Sequence, residues 1–71
     1  MKFRMFTDAV RQGIKFAVNV DRVRFIETAD VEAGTTNIWM DGHNSDGNDV
    51  VVLEVGEDFD TVFSRLNTIF E

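Results

Sequence analysis

The densest run of side chains able to do chemistry is Asp41-Gly42-His43-Asn44-Ser45-Asp46-Gly47-Asn48-Asp49. Asp41, Asn44, Asp46, Asn48 and Asp49 supply oxygen donors of the kind calcium takes. Aligning Gly47 with the invariant glycine of an EF-hand loop puts Gly42 at the first ligand position and Leu53 at the last, where Asp and Glu are required. A strand-like stretch follows, not a helix. Every member of the run is also a turn-former, so the expectation is a long solvated hairpin loop with no resident cation.

His43 is the sole histidine, and there is no cysteine. A thiolate zinc site, a two-imidazole site and a histidine-based triad therefore lack their parts. Ser45 and Ser64 have no base beside them in sequence, and Ser64 falls between Phe63 and Arg65. Carboxylates are plentiful, but a catalytic pair needs proximity in space that spacing does not supply here. The expectation is no enzyme, no cofactor and no metal.

Charge is divided along the chain. Residues 1–24 carry Lys2, Arg4, Arg11, Lys15, Arg22 and Arg24 against two acids, a net of +4. Residues 25–71 carry Arg65 against eleven acids, a net of −10. Lys2, Arg4, Arg22 and Arg24, interleaved with Phe16 and Phe25, suggest nucleic acid as a partner. An excess of acids opposes phosphate contacts, and alternation assigns both rings to a core.

The size limits what must position these residues. A chain of 71 residues starting at Met1 is read as one domain, 1–71. Such a domain buries only about 60% of its unfolded surface, so packing of the phenylalanines and oligomerisation must supplement it. No apolar run approaches the roughly 20 residues that span a bilayer, and Met1 to Phe6 lacks the apolar core of a signal peptide. A cytoplasmic protein without membrane contact is expected.

Lys2 to Thr7 alternates, with Phe3 and Met5 on one face and Lys2 and Arg4 on the other. Ile14 to Asn19 alternates again, with Ile14, Phe16 and Val18 on one face. Gly13 supplies a positive φ between them, giving an antiparallel hairpin. A helix over residues 7–18, with Phe6, Val10, Ile14 and Ala17 on one stripe, is the rival; Gly13 inside it costs about 1 kcal/mol. Asn19-Val20-Asp21 breaks the pattern as a chain reversal or a short irregular step between two pieces of sheet. Val23 to Thr28 is a strand of mixed period, and Ala29 to Gly34 is a polar connection closed by glycine.

Thr35 to Asp41 is a strand with Ile38 and Met40 on one side and Asn37 and Trp39 on the other. In Val50 to Val55, Val50 and Val52 point one way while Val51, Leu53 and Val55 point the other, so both faces are apolar. Gly56 ends it, and Asp58 or Glu57 caps a helix. Phe59, Val62, Phe63, Leu66, Ile69 and Phe70 form one apolar stripe on that helix of about 12 residues, about 18 Å long. The fold expected is α+β: a small, mainly antiparallel sheet with one C-terminal helix on one face.

The run Val18-Asn19-Val20-Asp21-Arg22-Val23-Arg24-Phe25-Ile26-Glu27 resembles the VN-x-D-x-V-x-x-I-E core of small bacterial proteins of the flagellar FlbD type. It is also similar to the same step in the LytTR DNA-binding domain. The order of elements agrees from the hairpin through Thr35-Thr36-Asn37-Ile38, Asp41-Gly42 and the valine-rich strand to the helix. The resemblance implies a bacterial regulatory module of this fold, with DNA binding as the LytTR variant of the expectation. Two features depart from it. The stretch Asp41 to Asp49 is longer than the tight Asp-Gly turn of those relatives, and the acidic C-terminal half lacks the basic contacts of LytTR-like binding. No functional residue carries over.

One short helix covers one face of such a sheet. Trp39, Val50 and Val52 then remain on the other, where an aromatic anchor suits a protein interface. Together with Phe6 they form the candidate interface. The expected function is a small protein-binding or regulatory module acting as a homo-oligomer, with a homodimer the simplest form and another protein as a further partner. A nucleic-acid-binding regulator of LytTR-like type is the alternative.

Overall fold

The computed structural model describes residues 2–42 and 49–67. The two N-terminal alternating stretches pair as an antiparallel hairpin, β1 (Phe3–Thr7) with β2 (Lys15–Asn19). A helix over residues 7–18 does not form. At the turn, the Asp8 carboxylate accepts the backbone N–H groups of Val10 at 2.8 Å and Arg11 at 3.2 Å. The Asp8 N–H donates to the Ile14 carbonyl at 2.9 Å. Gly13 sits at φ +84°, a conformation that a β-carbon would strain.

The hairpin buries the opposite face of β1 from the one expected. Phe6 is 1% exposed, whereas Phe3 and Met5 are 50% and 53% exposed. The register explains the inversion: Phe6 stands opposite Phe16 and Arg4 opposite Val18, while Phe3 and Met5 face Asn19 and Ala17. Collecting Phe6, Phe16 and Val18 on one side removes more apolar surface from water than the alternative. Arg4 shares that side because its Nε donates to the Arg65 carbonyl at 3.1 Å, in the last turn of the C-terminal helix, where a cation suits the dipole.

A single 3₁₀ turn, Val20–Arg22, makes the step between sheets. Its first residues are held by the Asn19 side chain, which accepts the Asp21 N–H at 3.0 Å. The chain then enters a three-stranded antiparallel sheet in the order β3 (Val23–Asp30), β4 (Thr35–Asp41), β5 (Val50–Val55). Ile26, Ile38 and Leu53 form its inner row. β3 continues through Ala29 and Asp30, so the connection expected from Ala29 shortens to residues 31–34. Asp30 closes that turn: its carboxylate accepts from Glu32 and Ala33 at 3.0 and 3.2 Å, and its carbonyl accepts from Gly34, at φ +70°.

The two sheets join at one corner. Asp8 bridges Val55, Ala9 donates to the Glu54 carbonyl at 3.0 Å, and Gly56 donates to the Thr7 carbonyl at 2.9 Å. The helix α1 (Phe59–Asn67) starts on Asp58, whose carboxylate accepts the Thr61 N–H at 2.8 Å. It packs against β3 and β4 and adds Val62 to a core of Phe6, Val18, Ile38 and Val55. The architecture is α+β, two small antiparallel sheets with one C-terminal helix.

Val62 is 0% exposed, but Phe59 and Phe63 are 36% and 55% exposed, so the helix stripe is only partly covered. Its proposed continuation, Ile69 and Phe70, lies outside the described residues, as does the stretch from His43 to Asn48. Among the described residues no helix is long and apolar enough to cross a membrane.

Candidate functional site

The outer face of the three-stranded sheet is the candidate interaction surface. Bulges in β3 decide its composition. The register shifts between Val23 and Phe25, so Val23 pairs with Met40 while Phe25 pairs with Trp39. Regular alternation would hold both apolar side chains on one face; the extra residue, Arg24, rotates Phe25 to the other. Phe25, Trp39 and Val52 then form one outer row.

In that row Phe25 is 52% and Val52 44% exposed. The Phe25 and Trp39 rings stack with centroids 5.5 Å apart and planes 14° from parallel. The Trp39 indole N–H donates to the Glu27 carboxylate at 3.0 Å, and the Asn37 amide reaches the same oxygen at 3.4 Å. Glu27, Asn37 and Glu54 form the next row, with Thr35 donating to Glu54 at 2.9 Å. On the other side of the rings lie Val50 and Asp41, the latter ion-paired with Arg24. The surface is an aromatic and aliphatic strip bordered by bonded polar groups.

Three of the four expected interface residues, Trp39, Val50 and Val52, converge on this face. Phe6 does not: it lies in the core, because its partner across the hairpin is Phe16. Phe25 was expected inside and belongs outside. The signal for it is the mixed period of Val23 to Thr28, where Val23 and Ile26 are both apolar at an odd spacing that a bulge reconciles.

A second apolar patch lies on the helix. Phe59 and Phe63 stack at 6.2 Å with planes 8° apart. Phe59 lines a shallow hollow with Thr28, Asp30 and Val31 from the end of β3, so the ring pair occupies the β3 flank of α1. Asp58 and Asp60 border that hollow. Among the described residues no three metal-binding side chains converge. The opposite flank of α1 faces β1 through Arg65, whose guanidinium donates to the Met5 carbonyl at 2.9 Å and lies 5.7 Å from the Phe6 ring centre.

Two carboxylates are held below their ordinary range. Asp8 is lowered chiefly by the Val10 N–H, then by its bond to the Arg11 side chain. Asp58 is lowered by hydrogen bonds from the Thr61 side chain and N–H. Both groups shape turns and caps, which marks them as structural.

Comparison with known proteins finds no family model that matches the chain, no curated protein similar to it and no solved structure similar to its fold.

Proposed function

We propose that this chain is a non-catalytic protein-binding module of the cytoplasm that works as a homo-oligomer, with a second copy of itself as its first partner. The observation that carries the reading is the outer row of Phe25, Trp39 and Val52, on which no other described element packs. Its small core supports the same reading, since so short a chain gains much from shielding apolar surface on a neighbour. Covering about 400 Å² of apolar surface contributes roughly 10 kcal/mol before the costs of association. That is comparable to the whole stability of an ordinary domain, about 5–15 kcal/mol. Light scattering at micromolar concentration should report at least twice the chain mass of 8.1 kDa. A monomer up to millimolar concentration would remove the reading.

The Phe25–Trp39 stack also has the shape of an aromatic platform, which favours a second reading as a nucleic-acid-binding regulator. The acids around it, Glu27, Asp41 and Glu54, weigh against a polyanion. We expect no appreciable binding of mixed duplex DNA at about 150 mM salt, where specific binders reach 10⁻⁸ M or tighter. A salt-sensitive gel shift at nanomolar protein would reverse the order of the two readings.

A further inference from the structure

We infer that two copies associate through the outer edge of β3, paired antiparallel about a twofold axis at Ile26, to make one continuous six-stranded sheet. The inference rests on the homo-oligomer reading and names the surface that makes the contact.

The two edges nearest α1 are treated differently. β1 turns main-chain groups of Met5 and Thr7 away from β2, and side chains occupy them. Thr7 N–H donates to the Glu57 carboxylate at 3.2 Å, and Arg65 donates to the Met5 carbonyl at 2.9 Å. That edge is closed to another strand. β3 is the other case. It is the terminal strand of its sheet and the longest among the described residues. Only Val23 at its start is engaged outside the sheet, its N–H donating to the Val20 carbonyl, and from Phe25 to Thr28 no bond among the described residues reaches its outer main chain.

The β3 edge also carries exposed apolar groups both above and below the sheet. Phe25 projects on the outer face at 52% exposure. Beneath, the Phe59–Phe63 pair sits on the flank of α1 that overhangs the end of β3, with Phe63 55% exposed. A second copy joined at this edge would cover both. The bulges bracket a short regular run, Phe25 to Thr28. Strand pairing over so few residues is weak by itself, and the rings supply the burial it lacks.

Charge selects the occupant and the register. The change from the basic to the acidic part of the sequence falls inside β3. Arg24 stands at its start, with Arg22 in the 3₁₀ turn just before it, and Glu27 and Asp30 lie towards its end. Antiparallel self-pairing lays each basic start against the other copy's acidic end. Centring on Ile26 sets Phe25 opposite the second copy's Glu27 and turns Arg24 towards its acidic end. Centring on Glu27 would face two carboxylates. The resulting sheet carries both Phe25–Trp39 stacks on one face, around the axis.

The test is light scattering across concentration on the wild-type chain and on Phe63→Glu, Val52→Glu and Val10→Glu, with amide exchange on the wild-type chain. Phe63→Glu should weaken the dimer at least about tenfold, the equivalent of about 1.4 kcal/mol. Val10→Glu, at a side chain 78% exposed on the far hairpin turn, should not. In the wild-type chain, the outward-facing amides of Ile26 and Thr28 should exchange more slowly as concentration rises. This last readout needs no variant, so it decides the matter even where Phe63→Glu fails to fold. Unchanged β3 exchange across the monomer–dimer transition would overturn the edge contact. So would dissociation by Val52→Glu with Phe63→Glu still dimeric, which moves the contact to the outer face and leaves the homo-oligomer reading intact. A wild-type chain that stays monomeric would overturn both.

Discussion

Glu57, just ahead of α1, and Arg65, in its last turn, stand with their charged atoms 3.6 Å apart, and together they complete the edge of β1. The carboxylate takes the Thr7 N–H and hydroxyl, and the guanidinium takes the Met5 carbonyl. Two side chains thus do what a neighbouring strand does elsewhere. Glu57→Ala should remove the partner of the exposed Thr7 N–H and cost about 0.5–1.5 kcal/mol. Urea denaturation measures it, and a loss under about 0.5 kcal/mol would show that water replaces the carboxylate freely.

Phe6 and Phe3 share a strand and have opposite surroundings. Phe6→Ala should cost about 3–5 kcal/mol, enough to unfold a marginal domain. Phe3→Ala, at half exposure, should cost well under half of that. Equal losses in denaturation midpoint would mean that the hairpin faces are assigned the wrong way round.

Asp8 and Asp58 make stability depend on pH in a definite direction. Each has a folded-state pKa below its unfolded value, so the unfolded chain binds protons first as pH falls. Their contribution is fully present above the ordinary carboxylate range and is lost as pH drops through the folded-state values. Stability should therefore fall on acidification below about pH 4. Asp58→Ala should flatten that acid limb while lowering stability at neutral pH. An acid limb as steep as the wild type's would count against the cap as its source.

Trp39 reports on its own neighbourhood because it is the sole tryptophan. Removing the stacked ring with Phe25→Ser should shift its emission to longer wavelength. The stability cost should stay within about 1.5 kcal/mol, as for an aromatic pair on a surface. A cost of about 4 kcal/mol would return Phe25 to the core.

Periodicity marked most strands of this chain and its helix, but over residues 7–18 it left a helix open beside the hairpin. Period-2 alternation in residues 3–7 and 15–19 favours strands, and Gly13 marks the turn because few other residues hold φ near +84° without strain. The valines on both sides of β5, and Asp58 ahead of a period-3.6 stripe, are equally local signals. What alternation leaves open is which face goes inside. That depends on cross-strand partners, and a shift of one residue exchanges the faces completely. Pairing with Phe16 and Val18 put Phe6 in the core and left Phe3 and Met5 outside. The bulge at Arg24 turned Phe25 onto Trp39. Likewise the helix stripe is wider than the surface beneath it, so the position of α1 over β3 and β4 chose Val62 for burial and left Phe59 and Phe63 at the rim. These outcomes depend on residues distant in the chain meeting in one register, and only the assembled fold settles that register.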